Sequence, residues 1–230
     1  ILVCAYGQIL TQQFLDIPDI GCFNLHFSFL PSLRGASPVQ TAIASGLKTT
    51  GVSLQKMVLR LDSGPLAVCS GEVEILQDDT TPMLGTRLSE VGGDLIRQNL
   101  QNILEGNFTL TEQNESKSTY CSIIKKEDGH LNWKEETAHV IERKLRAYTP
   151  WPGIYSFYKI KSKSDSRHRL QFTKAELVQG NFECGKIYPD LTVGAQTDGL
   201  KILYLKPEGK KEMDAVSFLR GNVEILGTVL

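Results

Sequence analysis

The sequence lacks several features that would place it in a specialised class of protein. Over 230 residues, no apolar run approaches the about 20 residues that a membrane-spanning helix needs. The apolar start, Ile1–Ala5, has neither the basic residues nor the small-residue cleavage site of a secretory signal peptide. Five scattered cysteines, an odd number without a C-x-x-C pair, argue against a disulfide framework or a zinc site. We therefore expect a cytoplasmic protein without a membrane partner.

The motifs of several large enzyme classes are also missing. Neither G-x-G-x-x-G nor a complete P-loop is present, which disfavours dinucleotide and ATP chemistry. The G-x-S-x-G nucleophile elbow is absent too. Ser28, His26 and Asp62 are the residue types of a hydrolase triad, but a serine and a histidine two positions apart on one strand cannot form the nucleophile–base pair. The other histidines have no metal-ligand spacing, so we expect no metal.

The net charge of −1 hides a difference between the two halves of the chain. Residues 1–120 contain 7 Lys and Arg against 12 Asp and Glu, a net charge of −5. Residues 121–230 contain 18 against 14, a net charge of +4. A basic second half is a weak indication of a polyanionic partner.

The order of the sequence patterns predicts two domains. Strands that alternate with helices over residues 1–108 predict an α/β domain with a parallel, partial Rossmann-like sheet. Its last helix, over about residues 81–105, is expected to break near Gly92-Gly93. Residues 109–120 are polar and predict a linker. Residues 121–230 show one amphipathic helix, about Lys134–Ala147, and then short strands, which predict a small β-barrel.

One strand carries an unusual row of polar residues. Strands in parallel sheets are usually apolar on both faces, yet Asn24, His26 and Ser28 alternate along one face of the strand at residues 22–28. An amide donor and an imidazole about 6–7 Å apart could polarise and deprotonate a substrate. Asp62, in a turn after another strand, could orient the imidazole. The alternatives are an edge strand with a solvated face and ordinary turn chemistry at Asp62.

Short motifs in the first domain resemble those of the folate-dependent formyltransferases. The first motif, over residues 24–38, follows the pattern N-x-H-x-S-x-L-P and then R-G and P. The second is Asp62-Ser63-Gly64, 36 residues after His26. The segment Ala5–Leu10 is similar to the family's lining of the pterin pocket. The combination is specific for the family, although Pro65 stands where the tRNA-acting members commonly have an acidic residue.

Motifs in the second half are similar to the C-terminal domain of methionyl-tRNA formyltransferases. They are LNW at 131–133, RAY at 146–148, PWPG at 150–153, GKKEM at 209–213 and FLRG at 218–221. The resemblance implies a small OB-like barrel that binds RNA. It also implies that roughly the first eighty residues of the family's nucleotide-binding-like half are lacking. A chain that begins inside a strand and without Met agrees with that expectation.

The resemblance also implies an activity and a role for individual residues. A monomer would transfer the formyl group of 10-formyltetrahydrofolate to the amino group of initiator methionyl-tRNA. Asn24 would donate to the oxyanion, His26 would stabilise the tetrahedral species and move the proton, and Asp62 would orient His26. The residues expected to contact the folate are Tyr6, Gly7, Gln8, Ile9, Leu10, Ser28, Leu30, Pro31 and Leu61. Those expected to contact tRNA are Arg34, Lys210, Lys211 and Arg220, with Trp151 as a stacking candidate.

Two other functions stay open at this point. A formyltransferase that acts on an amino-sugar nucleotide would share the catalytic motif and a similar C-terminal domain, although the GKKEM and FLRG segments favour tRNA. A chain without part of its first domain could instead be a catalytically inactive RNA-binding fragment. In the second domain, surface lysines are usually only solvated, and a Pro-Trp-Pro segment more often buries its indole.

Overall fold

The computed structural model describes residues 1–159 and 167–230, which form two compact units. The first unit is Ile1–Ile124 and the second is Lys125–Leu230. No helix among the described residues is both long enough and apolar enough to cross a membrane.

The first unit is built on a mixed four-stranded sheet. The strands of the whole unit are β1 (Leu2–Cys4), β2 (Phe23–His26), β3 (Arg34–Gly35), β4 (Thr49–Thr50), β5 (Ser53–Lys56), β6 (Leu66–Cys69), β7 (Val73–Glu74) and β8 (Tyr120–Cys121). Its helices are α1 (Gln12–Leu15), α2 (Pro38–Ala44) and α3 (Thr81–Leu104), with a 3₁₀ turn at Glu115–Lys117. The main sheet has the order β1-β2-β5-β6, and the short strands form the pairs β3–β8 and β4–β7.

The sheet is mixed, so the prediction of a parallel sheet was wrong for most of it. Only β1 and β2 run parallel, and the pairs β2–β5 and β5–β6 are antiparallel. For the pair β5–β6 the reason lies in the length of the connection. Residues 57–65 alone join β5 to β6, and a parallel crossover needs a dozen residues or more.

Helix α3 supplies the apolar cover of this sheet and is continuous through Gly92-Gly93. The predicted break is therefore absent. A Cβ built on Gly92 would lie 2.7 Å from a methyl carbon of Leu25 on β2. Gly92 thus allows α3 to approach the sheet closely, which offsets the cost of about 1 kcal/mol that a glycine carries inside a helix. The buried positions of α3 are Leu84, Leu88, Gly92, Leu95 and Ile103.

The segment predicted as a linker lies within the first unit. Thr111 pairs with Leu66 through two backbone hydrogen bonds of 2.8 and 2.9 Å. β8 then runs parallel to β3, with Arg34 opposite Tyr120 and Gly35 opposite Cys121. Most of residues 109–120 are exposed, which accounts for their polar composition, but Gln113 is buried within the first unit.

The second unit consists of a curled antiparallel sheet with two short helices. Its strands are β9 (Ile154–Lys159), β10 (Arg167–Val178), β11 (Thr192–Gly194), β12 (Gly199–Pro207) and β13 (Met213–Asp214). Its helices are α4 (Ala138–Ala147) and α5 (Ala215–Arg220), with 3₁₀ turns at Lys126–Gly129 and Val223–Ile225. The sheet order is β11-β12-β10-β9, and β13 pairs with β12. Register shifts between Phe172 and Ala175 mark irregular pairing in β10, where a bulge bends a strand.

Helix α4 begins later than its periodicity predicted. Thr137 caps it by accepting a hydrogen bond from the backbone N–H of Val140, so residues 134–136 lie outside the helix. Trp133 is buried, and its indole N–H donates to Ser156 Oγ at 2.8 Å. Its ring meets that of Phe172 edge to face, with the centroids 5.9 Å apart. These contacts join the start of the unit to the core of its sheet.

Candidate functional site

β2, the strand that carries Asn24 and His26, is a central strand of the sheet. β2 is flanked by β1 and β5, which removes the alternative of a solvated edge strand. His26 ends this strand and is only 5% exposed, and Asn24 is half-buried. Since β1 runs parallel to β2, the carboxyl end of β1 lies at the same end of the sheet as His26. The imidazole therefore lies at the carboxyl end of a central strand, where open α/β sheets bind their ligands.

Four groups converge on the carboxylate of Asp62. Gln55 Nε2 donates to Oδ1 at 2.8 Å, and the backbone N–H of Gly35 donates to Oδ2 at 2.8 Å. Asn24 Nδ2 lies 3.5 Å from Oδ1, a weak contact, and His26 Nδ1 lies 3.7 Å from Oδ2. Asp62 has a φ of +46°, a strained conformation that persists only where its surroundings impose it. The structure thus brings the three predicted catalytic residues together.

The imidazole of His26 is oriented by a backbone carbonyl as well. Its Nε2 lies 2.9 Å from the carbonyl oxygen of Leu33, so this nitrogen carries the proton that makes the hydrogen bond. Leu33 has a φ of +58°, which directs its carbonyl towards the ring. In this orientation both ring nitrogens face protein acceptors. The bond to Leu33 leaves Nδ1, beside Asp62, as the ring nitrogen that can accept a proton.

The predicted folate contacts fall into an exposed set and a buried set. Tyr6 and Ile9 are 57% and 86% exposed, and Leu61, next to Asp62, is 57% exposed. Ser28 is buried, and its hydroxyl donates to the carbonyl of Ser32 at 2.5 Å, so it shapes the loop after β2. Among the remaining predicted contacts, Gly7 and Gln8 are exposed, Leu10 and Pro31 are half-buried, and Leu30 is buried.

Arg34 does not occupy the position that a tRNA contact requires. It is fully buried, and its guanidinium donates to Gln113 Oε1 from Nε at 3.0 Å and from Nη2 at 2.7 Å. Glu115 Oε1 accepts a further bond from Nη2 at 2.7 Å. This hydrogen bond raises the pKa of Arg34 and lowers the pKa of Glu115. Nη1 donates to Glu115 and Tyr120, so every nitrogen of the guanidinium is bound inside the protein and this arrangement leaves none for the predicted phosphate contact.

Gln55 and Gln113 were not among the predicted site residues. Gln113 Nε2 donates to the backbone carbonyls of Asp62 at 2.9 Å and Gly64 at 2.7 Å. Gln55 is 2% exposed and holds the carboxylate of Asp62 directly. A buried glutamine is uncommon, but a sequence alone does not show that a glutamine is buried. Cys121 lies beside the carbonyls of Leu33 and Arg34, with its Sγ 3.4 Å from each oxygen, and burial raises the pKa of its thiol.

Gly64 fixes the turn that carries Asp62. A Cβ at this position would lie 1.8 Å from the carbonyl oxygen of Lys56, so we expect Gly64→Ala to displace the turn. The expected cost is about 1–3 kcal/mol or more of unfolding free energy, the range for overpacked sites. Gly71→Ala is the matched control, since nothing lies within 4 Å of a Cβ there. Urea unfolding measures both, and equal midpoints for the two variants would contradict this account of the turn.

The second unit contains a separate cleft of about 530 Å³ with a basic rim. Lys206, Lys210 and Lys211 line it, and Glu212 partly offsets their charge. Its other lining residues are Thr149, Pro150, Gly153, Gln171, Phe172 and Thr173. The register of the sheet explains why Lys206 was missed, since it pairs with Gln171 across 35 residues of sequence. The structure thus brings Lys210 and Lys211 to one site.

The other two predicted tRNA contacts in this unit are exposed. Arg220 ends α5 and lies outside the lining of the cleft. Trp151 follows Pro150, which does line the cleft, and its side chain is 58% exposed. The alternative that the Pro-Trp-Pro segment buries its indole is therefore wrong. The partly buried indole of a segment beside a basic cleft offers a flat surface on which a base could stack.

Two family models match nearly the whole chain. The model described as formyl transferase matches residues 1–100, and the model described as formyl transferase, C-terminal domain, matches residues 123–223. A methionyl-tRNA formyltransferase of Thermodesulfovibrio yellowstonii is 39% identical over 96% of this chain and 69% of its own length. One from Caldanaerobacter subterraneus is 34% identical over 100% of this chain and 73% of its own length.

Solved structures share the fold at lower sequence identity. HypX from Aquifex aeolicus in complex with tetrahydrofolic acid superposes with a TM-score of 0.61 at 17% identity, over 89% of this chain and 36% of that chain. An N-formyltransferase from Helicobacter canadensis, in complex with folinic acid and dTDP-3-aminofucose, has a TM-score of 0.61 at 21% identity, over 83% and 66%. At these identities the likeness concerns the fold alone.

Proposed function

This chain belongs to the methionyl-tRNA formyltransferase family, and we propose that it transfers the formyl group of 10-formyltetrahydrofolate to the amino group of methionine on initiator tRNA. The observation that carries the proposal is the convergence of Asn24 and His26 on Asp62 at the end of a central strand. The carboxylate is fixed by two bonds of 2.8 Å, from Gln55 and from the backbone of Gly35. The site is therefore preorganised to hold charge in a fixed place.

The three side chains divide the work of one acyl transfer. The amine of methionine forms a bond to the formyl carbon, and the bond from that carbon to the folate nitrogen breaks. Asn24 donates from Nδ2 to the oxygen that becomes negative, a contribution of about 3–4 kcal/mol at comparable sites. His26 takes the proton from the amine on Nδ1, the ring nitrogen without a proton, and delivers it to the departing nitrogen, while Asp62 beside Nδ1 stabilises the protonated imidazole. The weak 3.5 Å contact of Asn24 leaves its amide free for this role.

The exposed segments beside Asn24, His26 and Asp62 fit the formyl donor, because 10-formyltetrahydrofolate is flat and partly apolar. Residues 5–10 follow β1 at the end of the sheet where His26 lies, and their side chains Tyr6 and Ile9 are exposed to solvent. Leu61 is likewise exposed and precedes Asp62. We assign the folate to these segments together with Gly7, Gln8, Leu10 and Pro31. Ser28 and Leu30 are buried and act by shaping the loop.

The second unit supplies a surface for the tRNA. Its curled antiparallel sheet and its bulged strand fit an OB-like barrel, a fold that is widely used for oligonucleotides. We assign phosphate contacts to Lys210 and Lys211, with Arg220 as a further contact outside the cleft. The five free cysteines agree with a reducing compartment, and we propose a cytoplasmic monomer.

Neutralising Lys210 and Lys211 together is expected to weaken tRNA binding. Each phosphate contact adds about −0.9 to the slope of log affinity against log salt for duplexes, so Lys210→Gln/Lys211→Gln should make that slope shallower by about 1–2. Lys126→Gln/Lys134→Gln is the control with the same charge change, because both lysines are exposed and lie outside the cleft. Titrations at several salt concentrations measure both. Identical slopes for the two double variants would remove the cleft from the tRNA footprint.

The proposed reaction is tested by product identification. The purified protein is incubated with charged initiator tRNA and 10-formyltetrahydrofolate, and the amino acid released from the tRNA is weighed by mass spectrometry. We expect N-formylmethionine, dependent on both substrates. Unmodified methionine with active substrates and folded protein would contradict the proposal and leave the amino-sugar formyltransferase and the inactive RNA-binding fragment as the alternatives.

A further inference from the structure

The segment Thr111–Cys121, which we call the brace, contacts both partners of the His26 imidazole. One partner is Asp62, beside Nδ1, and the other is the carbonyl of Leu33, beside Nε2. The brace falls between the two family-model matches, which cover residues 1–100 and 123–223. Its sequence carries none of the motifs that identify the family, so only the contacts show its role.

Gln113 forms the first arm of the brace. It is 8% exposed and makes hydrogen bonds with both ends of its amide. Nε2 donates to the carbonyls of Asp62 and Gly64, at 2.9 and 2.7 Å, and this fixes the turn in which Asp62 has its positive φ. Oε1 accepts two bonds from Arg34, so the amide can neither rotate nor exchange its two ends without loss of donors.

Thr119 forms the second arm. Its Oγ1 accepts from the backbone N–H of Leu33 at 2.8 Å, and its carbonyl accepts from the N–H of Arg34 at 2.9 Å. These bonds hold the residue whose carbonyl receives His26 Nε2. Arg34 lies between the two arms and bonds to Gln113 through its side chain and to Thr119 through its backbone. The two partners of the imidazole are therefore held from one stretch of about ten residues.

We propose that Gln113 and Thr119 are positioning residues of formyl transfer, which set the orientation of the His26 imidazole by holding Asp62 and Leu33. The proposal rests on the proposed function for its activity readout. Neither residue reaches His26 itself in the contacts of the described chain, so each acts through a partner. Catalytic groups must be held within about 0.5 Å of the productive geometry, and the brace supplies that restraint for the turn and the loop together.

Gln113→Glu tests the first arm with nearly no change in shape. The carboxylate still accepts from Arg34, but it cannot donate to the carbonyls of Asp62 and Gly64. We expect kcat for formyl transfer to fall about 10-fold or more, with KM for both substrates within about 3-fold, the pattern of a lost contribution in the transition state. We also expect the imidazole ¹⁵N chemical shifts of His26 to change at a fixed pH. Thr119→Val removes the hydroxyl that accepts from the N–H of Leu33, and we expect the same fall in kcat and the same change in the His26 shifts.

Arg87→Gln separates positioning from mere stability. Arg87 pairs with the buried Asp79 in the same unit, with an Nη1–Oδ1 distance of 2.6 Å, away from the catalytic cluster. We expect this variant to lower Tm while kcat and the His26 shifts stay at their wild-type values. The proposal is overturned if Gln113→Glu and Thr119→Val lower only Tm, as Arg87→Gln does. If wild-type protein transfers no formyl group, the proposed function fails, and the ¹⁵N shifts alone still decide whether the brace positions His26.

Discussion

His26→Ala is expected to lower kcat/KM for formyl transfer by about 10²- to 10⁴-fold, the range for loss of a positioned acid–base group. The imidazole is 5% exposed and held between the Leu33 carbonyl and Asp62, so water cannot replace it in the same orientation. The loss should appear in kcat, because His26 contributes to charge and proton movement rather than to binding. The control is His139→Ala, at an exposed histidine of the second unit.

The other two members of the cluster should act as one unit with His26. We expect Asn24→Ala and Asp62→Ala each to reduce turnover by about 10²-fold or more, and the double variants to lose less than the sum of the single effects. Steady-state kinetics on charged tRNA provide the measurement. If all three alanine variants keep turnover within about three-fold of wild type, the assignment of Asn24, His26 and Asp62 is wrong.

Arg34→Met is expected to reduce the free energy of unfolding by about 2–4 kcal/mol, because it leaves a buried acceptor unpaired and removes a charge-assisted bond. The acceptor is Gln113 Oε1, which receives two bonds from the guanidinium and sits on an 8% exposed residue. Methionine fills much of the volume of arginine, so the loss reports the hydrogen bonds more than a cavity. Chemical denaturation monitored by far-UV circular dichroism gives the value, because both tryptophans, Trp133 and Trp151, lie in the second unit and do not report on the first.

Arg60→Met is the matched control for this experiment. Arg60 also contacts Glu115 and Tyr120, at 3.1 and 3.2 Å, but its side chain is 63% exposed. An exposed ion pair contributes about 0–1 kcal/mol, so we expect little change in stability. Equal losses for Arg34→Met and Arg60→Met would mean that burial of the guanidinium carries no weight, which contradicts the role of Arg34 inside the first unit.

The proximity of Asn24, His26 and Asp62 could be predicted from the sequence because strand geometry is regular and the motifs are specific. A period of two places Asn24 and His26 on one face wherever the strand lies, and the Asp62 motif was specific enough to join them. The parallel sheet was a wrong prediction, since strand direction depends on the length of a connection such as residues 57–65. Gly92-Gly93 predicted a break by local propensity, but tertiary packing against Leu25 overrides propensity.

Gln55 and Gln113, the residues that hold the turn of Asp62, could not be predicted from strand periodicity or from motifs. Gln113 acts on Asp62 and Gly64, which precede it by 51 and 49 residues, and no local pattern links them. Residues 109–120, which contain Gln113, have the polar composition of a linker. A polar side chain looks the same in sequence whether it meets solvent or a buried partner. The burial of Arg34 follows from the same network. Its charge alone suggested a phosphate contact, and only its partners show otherwise.

The acceptor is the central claim, and the ratio of two specificity constants tests it most directly. Formyl transfer from 10-formyltetrahydrofolate is measured side by side with charged initiator methionyl-tRNA and with a dTDP-linked amino sugar, the kind of ligand bound by the Helicobacter canadensis neighbour. We predict a kcat/KM for methionyl-tRNA at least about 10³-fold higher, because the proposed phosphate contacts extend over a tRNA, whereas a sugar nucleotide offers a single diphosphate. Equal constants, or a preference for the amino sugar, would contradict the proposed function.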